Sequence, residues 1–369
     1  MARELRALED AVADRMPRTL RLLRELVATR SVLGEEEPAQ RIVEERLSEL
    51  GFTVRSVTPD EKRLAEVPGS GIPLVDYAGR RCLIASLVGT TDAALALNGH
   101  VDVVSEEPAD QWTYPPFEPT ETGGRMYGRG TGDMKGGVAA MLLAVEAATS
   151  LGPLPSTVVY HSVIEEECTG NGALTALLES PRIDGAIVGE PTGGAIDVAG
   201  VGVIWARITL SARAGHAQSA DERRNVIEDA CRVIASLREL ERELNVNVEK
   251  EFGETPNPYL LNVGALHSGN WPATTPGKAQ LDVRLGFPIR MDPLEAQSRL
   301  GDAVARSEPS AVVEFRGFRA RGYSYSPGNP VTSLLAQCHR EVHGTPAKIE
   351  VSRATCDLRY FQPPLGPGA

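Results

Sequence analysis

The stretch AALALNGHVD, residues 93–102, sets the reading of this chain. Ala93 to Leu97 run without a charge and then give way to Asn98-Gly99-His100-Val101-Asp102. A short apolar run bounded by turn residues reads as a buried strand, which places His100 at a strand end. A similar run, Cys82–Val88, precedes it. Two more follow: Thr157–Ile164 stops at Glu165-Glu166-Glu167, and Ile183–Val188 stops just before Glu190. Between them, Gly136-Gly137 open VAAMLLAVEAA, which is apolar almost all round and predicts a buried helix. Ile42, Val43, Leu47 and Leu50 mark another helix, with Pro38 near its start and Gly51 just past its end. Strands alternating with helices predict an α/β domain whose mixed, largely parallel sheet is flanked by helices. In open sheets of this kind ligands bind beyond the carboxyl ends of the strands, and His100, Glu166, Glu167 and Glu190 all fall there.

The pattern changes after about Gly200. Ile204, Ala206, Ile208 and Leu210 alternate with Val203, Trp205, Arg207 and Thr209, as in a strand with one buried face. A helix carrying Ile227, Ala230, Cys231, Ile234 and Leu237 on one side comes next, followed by strands at Tyr259–Leu266 and Ala279–Phe287. Asp292-Pro293-Leu294-Glu295 signals a helix start, and Val312–Arg316 closes the series. The order strand, helix, strand, strand, helix, strand predicts a ferredoxin-like α+β unit over 199–317, inserted into a discontinuous first domain of 1–198 and 318–369.

With 369 residues the chain is long enough for two cores. Its net charge of −12 argues against a nucleic-acid partner, which calls for a basic face. Cys82, Cys168, Cys231, Cys338 and Cys356 are scattered and form no CxxC pair, a usage that fits a reducing cytoplasm. The first residues mix both charge signs with apolar ones, unlike a signal peptide. The longest apolar run, Val138–Val145, is far short of a membrane span.

One imidazole and several carboxylates at strand ends suit a hard or borderline divalent metal. Zinc accepts nitrogen and carboxylate oxygen together, and its catalytic sites keep a position open for water. The set therefore points to metal-assisted hydrolysis. Each piece alone also has a plainer reading. His-x-Asp reads as a buried strand-end histidine held by an acid, Asp133 as a turn or helix cap, the glutamate run as a solvated strand end, and Glu190 as a loop acid. In a metal site, Asp102 would accept a hydrogen bond from the His100 nitrogen that does not bind metal. His216 alone reads as a surface-loop histidine. His339 and His343, four apart on the helix predicted over Val331–Val342, read as a solvated face, His161 as packed within its strand, and Cys168 as an apolar filler.

In sequence order, GHVDVV, WTYPPFEP, MYGRGTGDMKGG, EEECTGNGA and VGEPT resemble a metallopeptidase and deacylase family. That family contains acetylornithine deacetylase, succinyl-diaminopimelate desuccinylase, aminoacylase and glutamate carboxypeptidase. The resemblance implies that His100 binds a first metal, Asp102 orients it, Asp133 bridges two metals, Glu190 completes the first site and Glu167 binds the second. Glu166 would be the general base, with Gly172-Ala173 setting the register that leaves Glu165 outside the pair. One or two zinc ions are implied, with cobalt or manganese as substitutes. The inserted domain would mediate homodimerisation and carry His216 to the other subunit's oxyanion. Asn225, Thr355 and Arg359 would contact substrate, although Arg353 and Ala354 replace the family's usual glycines. The implied reaction is hydrolysis of an N-acyl amino acid, or of a small peptide by a dipeptidase or carboxypeptidase. The family's further histidine follows a Gly-Pro-Gly segment. Here Gly366-Pro367-Gly368 is followed by Ala369, so a weakly held second metal is expected, with a catalytically impaired dimeric binding protein as the alternative.

Overall fold

The computed structural model describes residues 2–253 and 255–362. The chain opens with a long helix, α1 (Ala2–Ala28), then α2 (Glu37–Glu49), β1 (Thr53–Val57), the short α3 (Glu61–Ala65), β2 (Cys82–Leu87) and β3 (Ala94–His100). A small hairpin, β4 (Thr120–Thr122) and β5 (Arg125–Tyr127), leads to α4 (Lys135–Ser150), β6 (Thr157–Val163), α5 (Asn171–Glu179), β7 (Gly185–Val188) and β8 (Ile196–Gly200). The second unit runs β9 (Gly202–Ser211), β10 (Gly215–His216), α6 (Val226–Leu244), β11 (Leu261–Ser268), β12 (Thr274–Thr275), β13 (Lys278–Phe287), α7 (Pro293–Ser307) and β14 (Val312–Ala320). The chain then returns through β15 (Tyr323–Ser324), α8 (Pro330–His343) and β16 (Ile349–Ser352).

The main sheet has the order β1-β2-β6-β3-β7 and is mixed. Pairing is parallel at β6–β3–β7 and antiparallel at β1–β2 and β2–β6. Parallel strands covered on both faces read as unbroken apolar runs, which is why β3 carries no polar alternation before Asn98. Two registers fix the site. His100 is level with Val163, so β3 ends beside the turn that carries the glutamates. Asn98 is level with Val188, and the Gly189 amide donates to the Asn98 carbonyl at 3.2 Å, so Glu190 follows directly.

Helix α4 is apolar all round because it lies between the sheet and α1; Val138, Leu142 and Val145 join Leu22, Leu26, Leu97 and Tyr160 in one core. Its first turn meets the loop after β7 without room for a side chain. A Cβ on Gly137 would stand 1.9 Å from the Gly189 carbonyl oxygen. Gly137→Ala is accordingly expected to cost about 3 kcal/mol, at the upper end of overpacking, read as a lowered urea midpoint. A loss under about 1 kcal/mol would mean that α4 can slide away from Gly189.

The second unit's sheet has the order β11-β13-β9-β14 with every pairing antiparallel. Counted within the unit, that is second, third, first and fourth strand, the ferredoxin-like arrangement. Ile204, Ile208 and Leu210 on β9 pack with Val233 and Leu237 of α6 and Leu300 and Val304 of α7, in a core distinct from that of the main sheet. The expected helix start at Asp292 is present: its side chain accepts the Leu294 amide at 2.9 Å. The last strand runs on to Ala320, past the expected Arg316. A third sheet, β15-β8-β16, lies beside these two. Among the described residues no helix is long and apolar enough to cross a membrane.

Candidate metal centre

His100 is fully buried at the end of β3. Its Nδ1 donates to the backbone carbonyl of Asp102 at 2.8 Å, which turns Nε2 towards Asp133 Oδ1 at 3.1 Å and Glu190 Oε2 at 4.0 Å. The expected bond to the Asp102 carboxylate is not made, since Nδ1 stands 3.5 Å from Oδ1. The Asp102 carboxylate is committed elsewhere: it accepts the backbone amides of Glu166 (3.2 Å) and Glu167 (3.1 Å). Residue 102 thus holds the histidine with its main chain and the glutamate turn with its side chain.

The three glutamates have separate fates. Glu165, in the left-handed region at φ 63°, is fully buried, and its carboxylate accepts from Tyr77 Oη (2.9 Å), Arg80 Nη1 (2.5 Å) and Thr169 Oγ1 (2.6 Å). Those bonds hold it away from the site. Glu166 and Glu167 turn towards His100. Ligand atoms of His100, Asp133 and Glu167 lie within 4.8 Å of one another, and so do those of His100, Glu166 and Glu190. The structure therefore brings together all of His100, Asp133, Glu166, Glu167 and Glu190. Asp133 caps no helix: α4 has no side-chain cap bond, and Asp133 faces the imidazole.

Electrostatics set a demand on this cluster. Burial pushes the Glu166 carboxyl well above the usual range, and the charges of Glu190 and Asp357 add to it. Burial also lifts Glu167 and Glu190 to about 7 each, opposed by the His100 charge. Burial works against a charged His100, yet the Asp102 carboxylate nearby and the bond with Asp133 hold it well above its ordinary value. The bond with His100 keeps Asp133 low. Glu166 Oε1 and Glu190 Oε1 are buried without a hydrogen-bond partner. Partnerless carboxylate oxygens around a histidine whose other nitrogen is pinned fit a divalent cation, which would satisfy the oxygens and neutralise the crowded charge.

A cavity of about 500 Å³ opens from the cluster, with Glu190, Tyr323 and Thr355 near apolar Ile187, Val331 and Leu335. Thr355 Oγ1 is buried in its wall without a partner. The other expected substrate contacts lie elsewhere. Arg359 is absent from the cavity wall and sits buried beside Glu166, its Nη1 3.9 Å from Oε1. Asn225 caps α6 by accepting the Ile227 amide at 3.0 Å. His216 is exposed, and its Nδ1 accepts the Gln218 amide at 3.1 Å. Gly366-Pro367-Gly368 and Ala369 lie outside the described residues. His161 is fully buried against Ser180 Oγ at 2.6 Å, Cys168 is buried, and His343 is exposed. Sequence reasoning gave no role to Asn98 and grouped Asp357 with Thr355 and Arg359 in the loop expected to hold substrate; the two are joined by an Nδ2–Oδ2 bond of 3.1 Å. Their positions beside His100 and Arg359 in sequence were the available signal.

A family model described as Peptidase family M20/M25/M40 matches residues 96–367. A succinyl-diaminopimelate desuccinylase from Albidiferax ferrireducens is 29% identical over 362 residues, spanning 94% of this chain and 88% of that protein. The N-formyl-4-amino-5-aminomethyl-2-methylpyrimidine deformylase of Bacillus subtilis is 28% identical over 311 residues, spanning 76% and 72% respectively. Human carnosine dipeptidase 1 shares the fold at a TM-score of 0.76 and 17% identity, covering 97% of this chain and 90% of that one. With the family model spanning most of its length, the chain belongs to Peptidase family M20/M25/M40 and is a metal-dependent hydrolase of amide bonds.

Proposed function

We propose that the substrate is an N-acyl amino acid whose amide is hydrolysed with Glu166 as general base. One observation carries this reading: Glu166 and Glu167 sit side by side on a turn held by Asp102, and Glu166 keeps a buried oxygen free of any donor. His100, Asp133, Glu167 and Glu190 would hold the metal, with zinc the leading choice and cobalt or manganese as substitutes. When bound, such an ion supplies Lewis acidity and lowers the pKa of water to about 7. Glu166 Oε1 takes a proton from the attacking water and hands it to the departing amine nitrogen. Asp102 keeps the base in place through the two amides of the turn. Thr355, with its partnerless hydroxyl in the cavity wall, hydrogen-bonds the substrate.

The unit at 199–317 is read as the dimerisation domain. Its exposed His216, which joins no group around its own chain's cluster, suits a donor to the oxyanion in a second subunit, with Asn225 holding the adjoining helix. The free cysteines among the described residues agree with a cytoplasmic setting. The desuccinylase and deformylase relatives favour a deacylase, and the dipeptidase neighbour keeps small peptides as the second reading.

The test is metal content per chain together with hydrolysis of N-acetyl, N-formyl and N-succinyl amino acids against dipeptides, in zinc, cobalt or manganese. Metal-dependent turnover with higher kcat/KM on an N-acyl amino acid is expected. Higher kcat/KM on dipeptides would move the assignment to a peptidase, and no turnover on any of them with metal bound would sink it.

A further inference from the structure

Arg359 lies in the tight turn Asp357–Phe361 with its side chain 2% exposed. Its guanidinium is held between two rings, 5.4 Å from the Phe318 centroid and 4.4 Å from that of Tyr360. Nη2 donates to the Thr169 carbonyl and to Tyr360 Oη, each at 3.3 Å. Nε and Nη1 have no hydrogen-bond partner. Nη1 stands between two carboxylates, 3.9 Å from Glu166 Oε1 and 4.0 Å from Asp357 Oδ1, and both of those oxygens are also partnerless. The other Asp357 oxygen accepts from Asn98, two residues before His100 on β3.

A buried guanidinium is tolerated only where opposite charge faces it. Here that charge is Glu166 on one side and Asp357 on the other, while the substrate cavity is walled by Leu358 and does not include Arg359. The stacked rings and the Thr169 carbonyl leave the planar group little freedom. A shift of about 1 Å in either carboxylate would bring it within hydrogen-bond range of Nη1.

We infer that Arg359 is a positioning residue that holds Glu166 in place from behind, with Asp357 and Asn98 bracing it against β3, and that it does not bind the substrate carboxylate. This rests on Glu166 being the base. Arg359 makes the strap because its fork spans two acceptors while its face lies on aromatic rings, which a lysine ammonium cannot reproduce.

The test compares Arg359→Met and Arg359→Lys in the metal-loaded enzyme, alone and combined with Glu166→Gln. Arg359→Met is expected to lower kcat about 10–100-fold, as loss of an outer partner of a functional group does, with KM changed by less than about twofold. Arg359→Lys, which keeps the charge and guards against a variant that does not fold, should recover part of that loss. In the Glu166→Gln background either substitution should change the rate by less than about twofold, because the group through which Arg359 acts is already gone. A KM that rises with kcat held would make Arg359 a substrate ligand, and an equal fold-loss in both backgrounds would make it merely structural; either overturns the inference. Failure of the underlying reading shows separately, as an undiminished kcat in Glu166→Gln alone.

Discussion

Glu166→Gln is expected to lower kcat by about 10²–10⁴-fold, the usual contribution of a general base, while metal content and thermal midpoint stay near those of the parent. Glutamine keeps the length and shape of the side chain but cannot take a proton from water. The turn itself is held by backbone amides of residues 166 and 167 on Asp102, so the substitution leaves its anchorage intact. Glu165→Gln, one residue away, is expected to behave in the opposite sense. The Glu165 carboxylate accepts from Tyr77, Thr169 and Arg80, and Arg80 is itself 5% exposed. Removing that charge leaves the buried Arg80 with Glu36 as its remaining carboxylate partner among the described residues, at a cost of about 3–5 kcal/mol. Kinetics and urea melts on the two variants separate the roles. A Glu166→Gln enzyme within tenfold of the parent kcat would remove Glu166 from the chemistry.

The metal-free protein should become more stable as the pH falls from about 8 to about 6.5, and the metal-loaded protein should not. Glu167 and Glu190 have folded-state values raised to about 7 from 4.5, mainly by burial. A carboxyl with a raised value contributes stability that is fully present at low pH and lost as the pH rises through its folded value. Each shift corresponds to about 3 kcal/mol, and their coupling makes the sum smaller than twice that. His100, also raised, acts in the same direction. His161 opposes them further down: burial lowers it from 6.5 to about 4, so its contribution is lost as the pH falls through that window. The rise should therefore slow below about pH 6.5 without reversing, because two raised carboxyls outweigh one lowered histidine. A bound cation holds the same carboxylates as anions, which removes the gain on acidification. Thermal midpoints with chelator and with added zinc at pH 8.0, 7.0 and 6.5 would read the difference; a metal-free midpoint that falls across that range would contradict the buried-carboxylate account.

Most of what could be read from the sequence came from strand ends. Apolar runs that stop at His100, at the glutamates and at Glu190 place those groups beyond one edge of the sheet, and the registers His100–Val163 and Asn98–Val188 bring them level. The ferredoxin-like unit was equally readable, since its two central strands, β9 and β13, alternate between buried and half-buried positions. What local patterns do not carry is pairing between distant segments. The Asn98–Asp357 bond spans 259 positions, and no periodicity announces it. The β15-β8-β16 sheet is built from strands of two to five residues, too short to show a period. Asp102 illustrates the same limit at close range. His-x-Asp suggests a bond between the two side chains, but the carboxylate is taken by amides that arrive 64 and 65 residues later.

That grip on two main-chain amides makes the glutamate turn a scaffold largely indifferent to the side chains it displays. Residue 167 can be exchanged for another donor, such as aspartate or histidine, without unfastening the loop that presents it. The centre is thus open to redesign of its ion preference by altering the displayed groups alone. Asp102 is the residue that such redesign must leave untouched.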